Sequence, residues 1–287
     1  MVVTIKMSTL ANITDEELEE ILQLLSYQYG YDFTNYAHAS LKRRIVHFMN
    51  THRLQNVYDL KYNLVNQKNF FNQLLQTITI NVTDMFRDPL FYKALREKIF
   101  PELATYPLIK IWHAGCATGE EVFSLAIFLY EENLLSRCRI YATDLNTVNL
   151  AKAQKGIIPL VNMKEYSQNY YEAGGKNHFS DYYTAKYDHV LIDKELRKNI
   201  LFSHHNLVTD NVFNEFQLIL CRNVLIYFDP VLQNKVLNLL YNSLSPLGFL
   251  AVGIKESLLF TDLNSKFDNV LPSLKIFRRR EASSGLL

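Results

Sequence analysis

Apolar residues recur at helical spacing through the first 80 or so residues. Leu18, Ile21, Leu22 and Leu25 fall on one face of a helix, and Leu41, Ile45, Phe48 and Met49 on one face of a second over about residues 40–53. Two shorter stretches, 57–65 and 70–78, repeat the spacing. Thr14 and Glu17 stand in capping-box register, Ile13 and Leu18 occupy the two positions of a hydrophobic staple, and Gly30 is placed to stop the helix they open. The pattern predicts a small all-helical bundle over residues 1–78.

The character changes at residues 79–89, TINVTDMFRDP, a polar and β-branched stretch that reads as a linker over 79–88. Asp88-Pro89 is suited to N-cap and first turn of a helix running to about residue 103. From residue 108 strand-like and helix-like runs alternate. LIKIWHAG, CRIYATD, ILFSHHNLV, FQLILCRNVLIYF, FLAVGI and SLKIFRRR read as strands; VFSLAIFLYEEN, NTVNLAKAQKG and PVLQNKVLNLLYNSLSPLG read as helices. Alternation of this kind predicts an α/β domain over 89–287 built on a mostly parallel sheet, with ligands bound at the carboxyl ends of the strands. Residues 166–198 break the rhythm. They are rich in tyrosine, carry Gly174-Gly175 as a turn, and are expected to form a small inserted β-hairpin subdomain.

Composition narrows the class. The chain has 287 residues, 48% hydrophobic and 21% charged, enough to bury a real core. No window approaches the roughly 20 uninterrupted apolar residues of a membrane span. The first residues lack the basic-then-apolar pattern of a secretory signal, and three cysteines suit a reducing compartment. A formal net charge of +1 argues against a protein held to nucleic acid by bulk electrostatics. A soluble cytoplasmic protein is expected, with neither nucleic acid nor direct membrane insertion. His204-His205 invites a metal reading, but adjacent strand residues point to opposite faces, so no metal is expected.

The candidate chemistry lies at the first strand's end. Gly115-Cys-Ala-Thr-Gly119 forms a glycine turn that lets a ligand approach the backbone, and Asp144 ends the next strand, where an acid can take both hydroxyls of a ribose. The helix after the turn opens with Glu120 and Glu121, which would repel a pyrophosphate and favour a cationic ligand. S-adenosylmethionine carries a sulfonium and an ammonium and no phosphate. The plainer account of Glu120 and Glu121 is that they complement the helix dipole.

Segments spread over residues 81–258 are similar to the CheR-type protein-glutamate O-methyltransferases. They are Asn81-Val-Thr-Asp-Met-Phe-Arg-Asp-Pro89, Ile111-Trp-His-Ala-Gly-Cys-Ala-Thr-Gly-Glu-Glu121 with Phe123-Ser124, Ala142-Thr-Asp-Leu145, Asn206-Leu207, Cys221-Arg-Asn-Val-Leu-Ile-Tyr-Phe-Asp229 and Gly253-Ile-Lys-Glu-Ser-Leu258. The resemblance implies a Rossmann-like S-adenosylmethionine-dependent methyltransferase sheet, with product S-adenosylhomocysteine. Cofactor contacts are implied for Asn81, Thr83, Arg87, Gly115, Glu121, Asp144, Asn206, Leu207, Arg222 and Asn223. Tyr227 matches a tyrosine beside the transferred methyl, and Arg87 is the candidate to orient the accepting carboxylate. The chain departs from the family where Met85-Phe86 replaces a pair of aromatics, Leu247-Gly248 a double glycine, and Ile254-Lys255 the histidine of G-H-x-E-S.

Such an enzyme would esterify glutamate side chains in the cytoplasmic helical methylation region of a chemoreceptor. A glutamate with a pKa near 4.3 is already ionised at neutral pH, so the reaction asks for placement and exclusion of water and no general base. Arg43, Arg44, His47 and Arg53, on the polar side of the second helix, are the candidate contacts for that acidic partner; the bland account is a solvated face. Two rival functions are a methyltransferase acting on another signalling protein and a module that binds the cofactor without turnover.

Overall fold

The computed structural model describes residues 12–79, 83–259 and 261–281. The chain divides into two units. The first comprises residues up to 80 together with Tyr227–Asp229, and the second holds the remainder.

Among the described residues the first unit contains four helices, α1 (Asp15–Tyr29), α2 (His38–Thr51), α3 (Val57–Asn66) and α4 (Lys68–Ile78). The capping box of α1 is formed: Glu17 N donates to Thr14 Oγ1 at 3.2 Å, and Thr14 N to Glu17 Oε2 at 2.8 Å. Gly30 closes the helix at φ 75°, a left-handed conformation that costs glycine least. Leu18, Ile21, Leu22 and Leu25 of α1 and Leu41, Ile45, Phe48 and Met49 of α2 are buried, as their spacing predicts. The basic side of α2 is not uniformly solvated. Lys42 pairs with Asp15 at 2.8 Å, while Arg44 donates to the Ile78 carbonyl and lies 4.9 Å from the centre of the Tyr227 ring. Arg43, His47 and Arg53 are exposed.

The second unit is an α/β sheet of seven strands in the order β6-β2-β1-β7-β8-β10-β9. Its strands are β1 (Ile109–Ala114), β2 (Cys138–Asp144), β6 (Ile200–His204), β7 (Phe216–Cys221), β8 (Leu244–Val252), β9 (Phe267–Leu271) and β10 (Ile276–Arg279). The pairings among β6, β2, β1, β7 and β8 are parallel, and β10 turns antiparallel against β8 and β9. The helices are α5 (Pro89–Ala94) and α6 (Phe100–Leu103), joined by a π-helical turn at Leu95–Ile99, then α7 (Glu120–Glu131), α8 (Thr147–Lys155), α9 (Met163–Glu172), α10 (Lys194–Arg197) and α11 (Pro230–Asn242). From Val122 to Leu129 every residue of α7 is buried, so this helix is apolar all round rather than two-faced.

Three details differ from the sequence reading. The inserted subdomain is a three-stranded antiparallel sheet in the order β3-β5-β4, from β3 (Ile157–Pro159), β4 (Tyr183–Lys186) and β5 (His189–Ile192). It therefore starts before residue 166, and 163–172 is the helix α9, whose Met163, Tyr166 and Tyr170 supply a buried face. Asp88 sits at the N-cap position of α5 but at φ 60° and without a side-chain cap; its carboxylate is drawn to Arg222 instead. The FQLILCRNVLIYF run leaves the sheet at Cys221, because Asn223 takes φ 60° and Leu225–Tyr227 coils into a 3-10 turn.

Candidate active site

The carboxyl ends of β1, β2, β6 and β7 bring most of the expected residues of the second unit together. After β1 the chain turns at Gly115 (φ 79°), and the amides of Gly115 and Cys116 both donate to the Thr143 carbonyl, at 2.8 and 2.9 Å. A Cβ at position 115 would stand 2.5 Å from Val224 Cγ2, so only glycine fits between these strand ends. Gly119, at φ 95°, opens α7. Asp144 Oδ2 accepts from Ala117 N and Oδ1 from Asn146 N, each at 2.8 Å. Asn149 adds a side-chain hydrogen bond, and a carboxylate offers about four lone-pair sites, so acceptor capacity remains for a ligand. Burial raises the Asp144 carboxyl above its ordinary range, against the pull of these amides. Beyond β6, Asn206 and Leu207 lie in a buried turn tied by Asn206 N to Asp210 Oδ2 (2.8 Å) and Val208 N to Asn206 Oδ1 (2.9 Å).

Charge concentrates where α7 begins. Arg222 spans two carboxylates, with Nη1 2.7 Å from Glu121 Oε2 and Nη2 2.5 Å from Asp88 Oδ2, and its guanidinium lies 4.0 Å from the centre of the Phe91 ring. Its side chain is 1% exposed. Two carboxylates against one guanidinium leave this cluster one negative charge in excess. Burial alone would raise the Glu121 carboxyl, but Arg222 and the nearby His113 hold it below its ordinary range. His113 Nδ1 stands 3.4 Å from Glu121 Oε1, too poorly aligned for a hydrogen bond, so it acts as an electrostatic neighbour. The Arg222 guanidinium holds Glu121 and the end of the linker.

The linker residues are pinned from within the same unit. Phe86 N donates to Ser124 Oγ at 2.8 Å, and that hydroxyl donates onward to Glu120 O at 2.7 Å. From α9, Asn169 Nδ2 donates to Met85 O (3.3 Å) and the Tyr166 hydroxyl to Asp84 Oδ1 (3.4 Å). Met85 and Phe86 are fully buried, whereas Thr83 and Arg87 are half-buried. Arg87 makes no hydrogen bond or ion pair among the described residues. Asn81 lies outside the described residues.

The family described as "CheR methyltransferase, SAM binding domain" matches residues 81–273, and "CheR methyltransferase, all-alpha domain" matches residues 16–79. The chain belongs to the CheR methyltransferase family. A Pseudomonas putida protein named Cher3 is 46% identical over 266 residues, covering 93% of this chain and 97% of that protein. The chemotaxis protein methyltransferase of Listeria innocua is 31% identical over 232 residues (80% and 86%), and chemotaxis protein methyltransferase 1 of Vibrio cholerae 28% over 276 residues (91% and 96%). The cofactor of this CheR family member is S-adenosylmethionine, and the donor set fits it. Asp144 offers carboxylate acceptors at the end of β2, and the excess negative charge at Glu121 suits a cation and disfavours a phosphate.

His204 is exposed and His205 buried against Trp112 and Phe213, on opposite faces of the chain. Among the described residues no cluster of His, Cys, Asp and Glu could hold a metal, and no helix is long and apolar enough to cross a membrane. Cys116, Cys138 and Cys221 are free and buried, and burial pushes the Cys138 thiol up to about 12. Asn223 and Glu256 form a contact that sequence reading missed: Glu256, 4% exposed, accepts from Asn223 N, Gly253 N and Ile226 N. The signal was present as a lone acid three residues after a glycine at an apolar strand's end.

Proposed function

We propose that this methyltransferase acts in the cytoplasm on glutamate side chains in the helical methylation region of a chemoreceptor, giving γ-glutamyl methyl esters. Arg87 is the observation that carries this reading. A guanidinium that is half-buried and without a partner among the described residues offers a fork for an incoming carboxylate. The acceptor arrives ionised, so the residues here need to orient an oxygen and keep water away, and no proton has to be moved.

When bound, S-adenosylmethionine supplies a methyl group activated by its sulfonium. Asp144 is assigned the ribose, Asn206 and Leu207 the adenine, and Gly115 the close backbone approach. Glu121, oriented by Arg222, takes the cationic end. Thr83 and Asn223 complete the cofactor contacts, and Tyr227 walls the transferred methyl. Arg43, His47 and Arg53 are assigned to docking of the acidic receptor helix; Arg44 is left out because its guanidinium is already engaged.

The test uses methyl-labelled S-adenosylmethionine, this protein and the cytoplasmic fragment of a receptor from the same organism. Label released from the fragment by mild alkali as methanol is the expected result. Alkali-stable label would overturn the carboxylate assignment. Label appearing only on a non-receptor protein would move the substrate, and binding without any transfer would favour a sensing module.

A further inference from the structure

Three parallel strands of the second unit end at one place, and a single carboxylate ties two of those ends together. Glu256 follows β8, and its side chain folds back so that Oε2 accepts from Gly253 N at 2.5 Å and Asn223 N at 3.0 Å, while Oε1 accepts from Ile226 N at 3.2 Å. Three backbone N–H groups converging on one buried anion make a nest, here filled by the chain itself. Two of the three donors belong to the stretch after β7. There Asn223 holds φ 60°, a left-handed conformation that asparagine tolerates better than most residues other than glycine.

The surroundings leave this arrangement no slack. A Cβ at Gly253 would lie 2.8 Å from Glu256 Oε2 and 2.9 Å from Asn223 N. The other flank of the turn is closed by Val224, whose side chain occupies the space a Cβ on Gly115 would need. The turn that carries Asn223 and leads into Tyr227 is thus clamped between the cofactor-binding glycine turn on one side and the Glu256 carboxylate on the other. No element of the regular sheet holds it, since β7 has ended at Cys221.

We infer that Glu256 is a positioning residue for methyl transfer: it fixes the left-handed turn that presents Asn223 to the cofactor. The inference rests on the assignment of Asn223 to the cofactor made above. Replacing one carboxylate oxygen by an amide nitrogen sets a donor against a donor at the nest, and turns charge-assisted hydrogen bonds into neutral ones.

The experiment compares wild type with Glu256→Gln, Gly253→Ala and Asn223→Ala, all assayed well below their thermal midpoints. S-adenosylhomocysteine affinity is read by calorimetry, and amide hydrogen exchange by mass spectrometry. Glu256→Gln is expected to weaken S-adenosylhomocysteine about tenfold, with faster exchange confined to the peptide spanning 222–227. Gly253→Ala, which crowds the same nest from β8, should do likewise. An unchanged affinity in Glu256→Gln with a lowered thermal midpoint would make the residue merely structural and overturn the inference. Asn223→Ala separates the two readings: if it alone leaves affinity intact, the assignment of Asn223 fails; if it weakens binding and Glu256→Gln does not, positioning fails.

Discussion

Asp144 and Arg222 are both buried charges at the carboxyl ends of the parallel strands, and they are stabilised in opposite ways. Asp144 is held by two backbone amides and the Asn149 side chain, with only a weak pull from His204, so burial prevails and its carboxyl sits above the ordinary value of 3.8. A ligand whose hydroxyls donate to the ionised form binds fully above that raised pKa and progressively less as pH falls through it. S-adenosylhomocysteine affinity should therefore begin to drop at a higher pH than an unperturbed aspartate would give. Asp144→Asn should weaken binding at neutral pH by about tenfold or more and flatten this part of the pH profile; calorimetry across pH checks both. The position of Asp144 was legible, because an acid closing the strand after a glycine turn has few other uses. The job of Arg222 was not. Its partner Asp88 lies 134 residues away, and no local pattern reveals which groups a buried guanidinium faces.

At the scale of elements, Arg222 and α9 together hold the segment from Thr83 to Asp88 against α7. Arg222→Ala would leave Glu121 and Asp88 without their shared cation, and loss of one partner from a buried ion pair costs about 3–5 kcal/mol. A denaturant-midpoint measurement should find a loss of that order, together with weakened S-adenosylhomocysteine binding. The two long amphipathic helices were readable because periodicity records which face is buried, as Leu18 to Leu25 show, and the parallel strands because burial on both faces leaves a largely apolar run, as Ile109 to Ala114 show. The helix α9 was hidden. Its tyrosines look like hairpin residues until one sees that Tyr166 and Tyr170 line a single helical face. The turn at 222–227 was read as strand for a related reason: an apolar run does not disclose that Asn223 goes left-handed.

For the whole molecule, a formal net charge of +1 means that the acidic partner proposed above would be recognised through local charge. On α2 and just beyond it, Arg43, His47 and Arg53 are exposed, whereas Lys42 and Arg44 are engaged. Reversing Arg43 and Arg53 to glutamate should raise the KM for a receptor fragment severalfold at low salt and leave S-adenosylhomocysteine affinity unchanged. The difference should shrink as ionic strength rises past about 0.1 M, where the screening length is about 10 Å. A salt series of initial rates measures it, and equal losses in both quantities would contradict a docking role.

The π-helical turn at Leu95–Ile99 bears on how this architecture tolerates change. It accommodates one residue more than an α-helix would between α5 and α6, and it includes Arg96, which lies over the Phe128 ring and pairs with Glu131 and Glu132. Because the turn absorbs that residue locally, deleting one residue there would relax it to a regular α-helix and remove the bulge that carries Arg96 to Glu131 and Glu132. The segment before the turn would keep its phase, with Asp88 still facing Arg222, and the loss would fall on the Arg96 contacts alone. Regularity is thus traded here for packing, and a shorter chain at this turn should cost stability without displacing the residues on either side.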